Sequence, residues 1–425
     1  MAIGVMLTFF DFRNDIRKLI SSISKKEKVV VFVRKEHEHL VSSYQSIDFT
    51  YRIIDEQQPS IINFLLTRCF LLFRKIPSSR NNYYLMEAFK AEGLPDKKQS
   101  RKAKKILKWQ KLLPKFFSYD KYLSMLRPSK KTDLGGINSM LVLTEIYDDL
   151  LFARIIKSKL PTHVYVYSWD HPCKHVRFSK KVNYLVWNKG ISEDLQKLQQ
   201  IPENQVSVIG STQLGYIHEY LRQSAQEFPA KQNWIYYACG VGIRSLVHEE
   251  VSVIITLAKA MQATIPDHKL LVRPYPNLSN WNLYDALADF DNITVDSSYR
   301  QTDLSVSEKD IFLKFSGIDA ANALFHTGTT LGLEACFLNT PSFIIDIANR
   351  KRSDVCLYNF VHQYQNNKYL IEKSPINVVY DEKALHHILQ NTADPIYMHL
   401  NKDISSAFEV LSFDDLAANF LNHLS

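Results

Sequence analysis

The stretch Ala323-Leu-Phe-His-Thr-Gly-Thr-Thr-Leu-Gly-Leu-Glu-Ala-Cys-Phe-Leu-Asn-Thr-Pro-Ser-Phe-Ile-Ile-Asp346 leaves few folds open. Its apolar start, Ala323 to Phe325, predicts a buried strand, and the Gly/Thr run predicts a tight turn. A helix opens at Thr329 or Thr330 and is stopped by Asn339-Thr-Pro341, after which Ser342 to Ile345 reads as a second buried strand. Strand, turn, helix and strand in so short a span form the unit of a parallel α/β sheet. The turn lies at the carboxyl end of a strand. There the helix aims free N–H groups and its positive dipole end outward, a setting that suits phosphate. Glu334 falls one helical turn after Thr330, so its carboxylate is expected to face the same crevice and accept from ribose hydroxyls.

The same alternation runs from residue 234 onward, as expected of a doubly wound domain. Strand Trp234–Ala238 leads into Cys239-Gly-Val-Gly-Ile-Arg244, and Lys269–Val272 into Arg273-Pro-Tyr-Pro-Asn277. Ligands bind beyond the carboxyl ends of such strands. Three of those ends carry anion chemistry: Gly240 and Gly242 with Arg244, then Arg273, then His326, Gly328, Thr329 and Thr330. Two arginines capable of bidentate hydrogen bonds beside two glycine turns point to a diphosphate. The bland alternatives are that Arg273 pairs with a neighbouring acid and that His326 is a satisfied core histidine. For His326 taken alone, the bland reading is preferred.

At 425 residues the chain exceeds one ordinary core, so two domains are expected, 1–228 and 229–425. The helix near 412–421 is a candidate to pack back on the first domain. Residues 1–160 carry 30 Lys+Arg and 16 Asp+Glu, a net of 14 positive, whereas the remainder is 6 negative. The basic excess concentrates in Lys97 to Phe117, which has nine Lys/Arg and no acid. Its apolar residues recur at helical spacing and include Trp109, Leu112 and Phe116. A basic amphipathic helix with Trp and Phe fits an anionic membrane interface, and a basic, aromatic segment of about 61–117 is the expected membrane-facing part of the first domain. Against this stands the common case of a core-facing stripe with a solvated basic back. No zinc-finger spacing or RNP-like motif supports nucleic acid. Five scattered cysteines without CxxC suggest a reducing compartment and no structural metal. Ile61 to Phe73, the most apolar block, is shorter than the roughly 20 residues of a membrane span, and the N-terminus lacks a signal-peptide pattern.

A long helix is predicted from about Ser139 to Lys157. A strand from His163 follows and ends in Trp169-Asp170-His171-Pro172. A general base at a strand end would be Asp170 first and His171 second, with Asp133 and Glu145 as further candidates. Asp170 serves equally well as an Asx-turn acceptor before Pro172.

The pattern His326-x-Gly-Thr-Thr-x-x-x-Glu334-Ala-x-x-x-x-Thr-Pro341 resembles the donor-site signature of GT-B glycosyltransferases. Leu271-Val-Arg-Pro-Tyr-Pro276 resembles a neighbouring segment of the same proteins. Tyr167-Ser-Trp-Asp170, Tyr184-Leu-Val-Trp-Asn188 and Val208-Ile-Gly-Ser-Thr-Gln213 resemble bacterial surface-carbohydrate enzymes of capsule or lipopolysaccharide type. The match covers about 170–350, and residues 1–130 match nothing nameable. The resemblance implies a GT-B fold, two Rossmann-like domains facing a central cleft, the nucleotide sugar on the second and the acceptor on the first. It also implies a metal-independent reaction without a cofactor, performed by a peripheral protein on the cytoplasmic membrane face. Other readings of the same architecture are a glycerol- or ribitol-phosphate transferase of teichoic-acid type and a non-hydrolysing nucleotide-sugar 2-epimerase. A polyanion-binding scaffold is the non-enzymatic one. An expected Gly-rich loop after the first strand is missing.

Overall fold

The computed structural model describes residues 2–7, 14–41, 47–54, 60–78, 80–128, 132–143, 148–169, 171–224, 230–296, 307–347, 355–364, 367, 371–372 and 374–424. The chain forms two compact units. Unit 1 comprises residues 1–83, 105–215 and 408–425, and unit 2 comprises 84–104 and 216–407. The division thus falls inside the helix Thr212–Ser224, a little before residue 228, and residues 84–104 group with the second unit.

Unit 1 holds a seven-stranded parallel sheet of β1 (Ala2–Leu7), β2 (Lys28–Arg34), β3 (Thr50–Ile54), β4 (Ser139–Leu143), β5 (Thr162–Tyr165), β6 (Asn183–Val186) and β7 (Val206–Val208), in the order β3-β2-β1-β4-β5-β6-β7. Its central strands are nearly continuous apolar runs, Val29 to Val33 for example, because helices cover both faces. Among its helices are α1 (Asn14–Ser24), α2 (Ile61–Phe73), α3 (Lys97–Leu112, whose first half groups with unit 2) and α4 (Asp149–Lys157).

Unit 2 holds a six-stranded parallel sheet of β8 (Trp234–Ala238), β9 (Lys269–Arg273), β10 (Ile293–Val295), β11 (Ala323–His326), β12 (Ser342–Ile345) and β13 (Val378–Val379), in the order β10-β9-β8-β11-β12-β13. Its helices include α5 (Arg244–Thr264), α6 (Glu308–Asp319), α7 (Thr330–Phe337) and α8 (Leu357–Gln363). The chain then returns to unit 1 with α9 (Phe413–Leu424), which lies against α1.

In each sheet the strand order reverses once, between β1 and β4 and between β8 and β11. A crevice at the carboxyl ends beside such a reversal is where open α/β sheets take their ligands. Both sheets and their helices make up the two-domain α/β architecture of the GT-B fold.

One expectation changes. Residues 139–157 do not form one helix: Ser139–Leu143 is strand β4, fully buried between β1 and β5, and α4 begins only at Asp149. A run of Met, Leu and Val fits either period, and pairing on both sides decides for the strand. The glycines of Gly210-Ser-Thr-Gln-Leu-Gly215 serve packing. A Cβ on Gly210 would meet Leu411 at 2.9 Å, and one on Gly215 would meet Phe413 at 2.7 Å.

Candidate functional site

The carboxyl ends of unit 2's central strands stop level with one another. His326 pairs with Ala238, and Ala238 with Arg273, so the turns that follow emerge side by side. They are joined by a residue the sequence reading did not select. Glu250, fully buried on α5, accepts through Oε1 from the Gly240 N–H at 2.9 Å and from the Thr327 hydroxyl at 2.6 Å. Burial pushes its carboxyl up to about 7, against the pull of those donors. Its Oε2 is buried without a hydrogen-bond partner. Leu246, Val247, Glu250, Ile254 and Leu257 share α5's buried stripe, so an acid on an apolar helical stripe was the readable signal.

The β11–α7 turn is tightly specified. Gly328 has φ +115°, and a Cβ there would lie 2.1 Å from Nδ2 of Asn367. That same nitrogen donates to Thr327 O at 3.2 Å and to Phe360 O at 3.0 Å. Gly240 approaches within a Cβ's 3.1 Å of Gly328 O. Gly242 lies under the Tyr275 ring, and its carbonyl accepts from the side-chain amides of Asn277 and Asn280. Thr329 caps α7, its side chain accepting from the Leu331 N–H.

His326 takes the bland role. It is buried, and burial lowers its pKa to about 3, so the ring is neutral. Nδ1 accepts from the Gly328 N–H at 2.9 Å and from the Thr329 N–H at 3.4 Å. The proton therefore sits on Nε2, which donates to Ser342 Oγ at 3.1 Å. Two amides expected to point at a phosphate thus point at His326 instead. Gly332 admits the ring, since a Cβ there would fall 2.2 Å from Nε2.

The charged residues are also engaged within the unit. Arg273 is buried and pairs with Asp296 at 2.6 Å, so the neighbouring-acid reading holds for it. Glu334, also buried, pairs through Oε2 with Lys314 of α6 at 2.6 Å. Burial lowers the pKa of Lys314, and the Arg273 charge adds to this while Glu334 opposes it. Lys314 lies between Ile311 and Ile318 at helical spacing, the same unread signal as Glu250. Arg244 is exposed at the start of α5 and donates to Ser279 O at 3.0 Å and Asn282 Oδ1 at 3.2 Å. Gly240, His326 and Gly328 are therefore brought together. Arg273 and Glu334 belong to a charged cluster with Asp296 and Lys314, whereas Arg244 is exposed and Thr330 half-buried.

In unit 1, Asp170 and Glu145 lie outside the described residues, as does the side chain of His171. Asp133 precedes β4, at the amino edge of the sheet, where it pairs with Arg52 at 3.3 Å. That is the wrong edge for a base. At the carboxyl edge beside the β1/β4 reversal stand Asp148 and Asp149. Asp148 caps α4 and pairs with Arg34 at 3.4 Å. Asp149 accepts from the hydroxyls of Tyr119 at 2.8 Å and Tyr122 at 3.4 Å, and pairs with Arg177 at 3.4 Å. Burial raises its pKa although Arg177 opposes it.

No family model matches this chain, and no curated protein matches it. Solved structures do share its fold. Arabidopsis thaliana UGT89C1, complexed with UDP, aligns over 100% of both chains with a TM-score of 0.53 at 11% identity. The UDP-GlcNAc 2-epimerase of Neisseria meningitidis, bound to UDP-GlcNAc, covers 100% of this chain and 99% of its own with a TM-score of 0.52 at 12% identity. A putative UDP-N-acetylglucosamine 2-epimerase from Listeria monocytogenes covers 99% and 94% with a TM-score of 0.52 at 10% identity. At such identity the likeness establishes the fold alone.

Proposed function

We propose that the chain is a glycosyltransferase. It takes a sugar from a nucleoside-diphosphate sugar and passes it to a cell-surface polysaccharide or lipid-linked glycan at the cytoplasmic face of the membrane. The observation that carries this reading is the pair of strand-end turns at the β8/β11 reversal, tied together by Glu250 with the amino end of α7 beside them. Thr329, Thr330 and the positive end of α7 take the diphosphate, with Arg244 on its outer side. Developing charge on the departing diphosphate is stabilised by these dipoles and the guanidinium, with no metal or cofactor called for. Glu334 receives the ribose hydroxyls while Lys314 holds its other oxygen. Unit 1 holds the acceptor, Asp170 removes its proton with His171 alongside, and the basic segment 97–117 rests on an anionic membrane surface. Nucleic acid has no part in this reading.

A second reading, a nucleotide-sugar 2-epimerase, is favoured by fold likeness of the same degree. It is distinguished by its independence from an acceptor.

A thermal-shift panel of UDP, GDP, CDP, CMP and dTDP tests the donor site, since a ligand of the folded state raises the apparent Tm. At least one nucleoside diphosphate is expected to raise it, and no response to any of them removes the assignment. Arg244→Ala should weaken that ligand roughly tenfold, the worth of one lost charge-assisted contact. Incubation with UDP-GlcNAc, followed by NMR, separates the two enzymes: a 2-epimer formed without acceptor supports the second reading. Asp170→Asn should lower turnover roughly a hundredfold or more, and near-normal turnover takes Asp170 out of the base role.

A further inference from the structure

Helix α2 is built the wrong way round for water. Its inward stripe of Asn63, Thr67 and Phe70, with Arg74 following, is polar or aromatic and fully engaged. Asn63 exchanges two hydrogen bonds of 2.9 Å with the backbone of Arg127. Thr67 Oγ1 lies 2.9 Å from the Tyr122 hydroxyl. Phe70 stacks on Tyr122 with centroids 4.4 Å apart, and Arg74 donates to the Tyr83 hydroxyl. The outward stripe is aliphatic: Ile61 is 79% exposed and Leu65 56%, flanked by exposed Ile62 and Phe64. A helix of a water-soluble protein turns such a stripe to the core.

The apolar strip does not stop at the helix end. Phe73 packs on Phe116 with centroids 5.3 Å apart, and Phe116, Leu112 and Trp109 are all exposed. Exposed cations accompany it: Arg68, Lys75, Lys105, Lys108 and Lys111. No Asp or Glu occurs in 61–75 or 97–117.

We infer that the outward face of α2, continued by Trp109, Leu112 and Phe116, is an insertion surface for the interfacial layer of an anionic lipid bilayer. Charge decides the occupant. A second copy docking the same face would set these cations against their own duplicates. Anionic headgroups meet the lysines while the hydrocarbon boundary receives Ile61, Phe64 and Leu65, which satisfies both halves of the surface. Among the described residues no helix is long and apolar enough to cross a membrane, and α2 has 13 residues, so it lies in the plane of the surface. This extends the membrane part of the proposed function, which rested on segment 97–117, and is independent of the nucleotide assignment.

The molecule supplies its own probe position. Cys69 is exposed on the outward side of α2, whereas the four other cysteines are buried. A polarity-sensitive fluorophore on Cys69 of the full chain is expected to shift to the blue with vesicles of phosphatidylcholine and phosphatidylglycerol, but not with phosphatidylcholine alone. Ile61→Ser/Leu65→Ser should lower vesicle affinity roughly tenfold while leaving any nucleotide-induced Tm rise unchanged. Absence of the shift with anionic vesicles overturns the inference, and so does binding that ignores the double substitution. A dimer seen by light scattering and dissolved by the same substitutions would assign the face to a second copy and also overturn it. A wild type that binds vesicles but responds to no nucleotide leaves this inference standing and removes only the donor-site reading.

Discussion

Gly328→Ala is expected to destabilise unit 2 by about 3 kcal/mol and to abolish most of the nucleotide response. Two costs add. The residue holds φ +115°, where an L side chain pays about 1–2 kcal/mol. Its new Cβ would also fall 2.1 Å from Asn367 Nδ2, so Asn367 must leave the Thr327 and Phe360 carbonyls it serves, at about 1 kcal/mol for each hydrogen bond. A displaced turn no longer presents Thr329 and Thr330 to a diphosphate, so affinity should fall by roughly tenfold or more. Gly136→Ala is the control. Gly136 has φ +72°, yet nothing lies within 4 Å of an added Cβ, so only the backbone cost of about 1 kcal/mol applies. Urea unfolding of the two variants compares them. Equal losses would mean that Asn367 moves aside freely and that the turn is not rigid.

The second large effect concerns pH. Burial raises the Glu250 carboxyl to about 7 in the folded chain, above its ordinary value of about 4.3. Between those two values the folded state binds the proton and the unfolded state does not, so stability falls as pH rises through that window. The loss contributed by this one group from pH 5 to pH 8 is about 2 kcal/mol. Glu250→Gln keeps an Oε1 acceptor for Gly240 and Thr327 but cannot ionise, so its stability relative to wild type should rise over the same interval. Glu250→Ala leaves both donors buried and unpaired and should cost about 3 kcal/mol at pH 5; because it cannot ionise either, that cost relative to wild type should shrink by about 2 kcal/mol at pH 8. Denaturation midpoints of the three proteins at pH 5 and pH 8 provide the check. A pH-independent difference between wild type and the Gln variant would show that Glu250 does not titrate in that range.

Much of unit 2 could be read from sequence because each strand there is an apolar run punctuated by glycine or proline, and parallel strands buried on both faces leave that mark. Gly240 and Gly328 were found by the same punctuation. Glu250, Lys314 and Asn367 were not, although they hold the turns in place. Their role depends on which side of a helix or loop meets which neighbour, and such pairings join residues far apart in the chain. Glu250 and Thr327 are 77 positions apart, and Asn367 and Thr327 are 40. His326 shows the converse. Its place in the motif was plain, but whether the ring faced a ligand or Ser342 depended on the absence of a Cβ at Gly332, which spacing does not reveal. Residues 139–157 misled for a simpler reason, since an apolar run of four, Met140 to Leu143, between polar neighbours has no period long enough to separate strand from helix.

Helix α9 has a consequence for the order in which the molecule is made. Phe420 packs edge-on against Tyr165 with centroids 5.2 Å apart, and Phe413 and Leu416 sit against Gly215 and Gly210. All of these partners leave the ribosome some two hundred residues before α9 does. Unit 2 lies wholly within the intervening chain or earlier, so it can complete its core first. Unit 1, although it begins first, waits with the apolar side of α1 uncovered until residue 424 has been synthesised. Its nascent form is therefore the stage at which this chain most needs a chaperone.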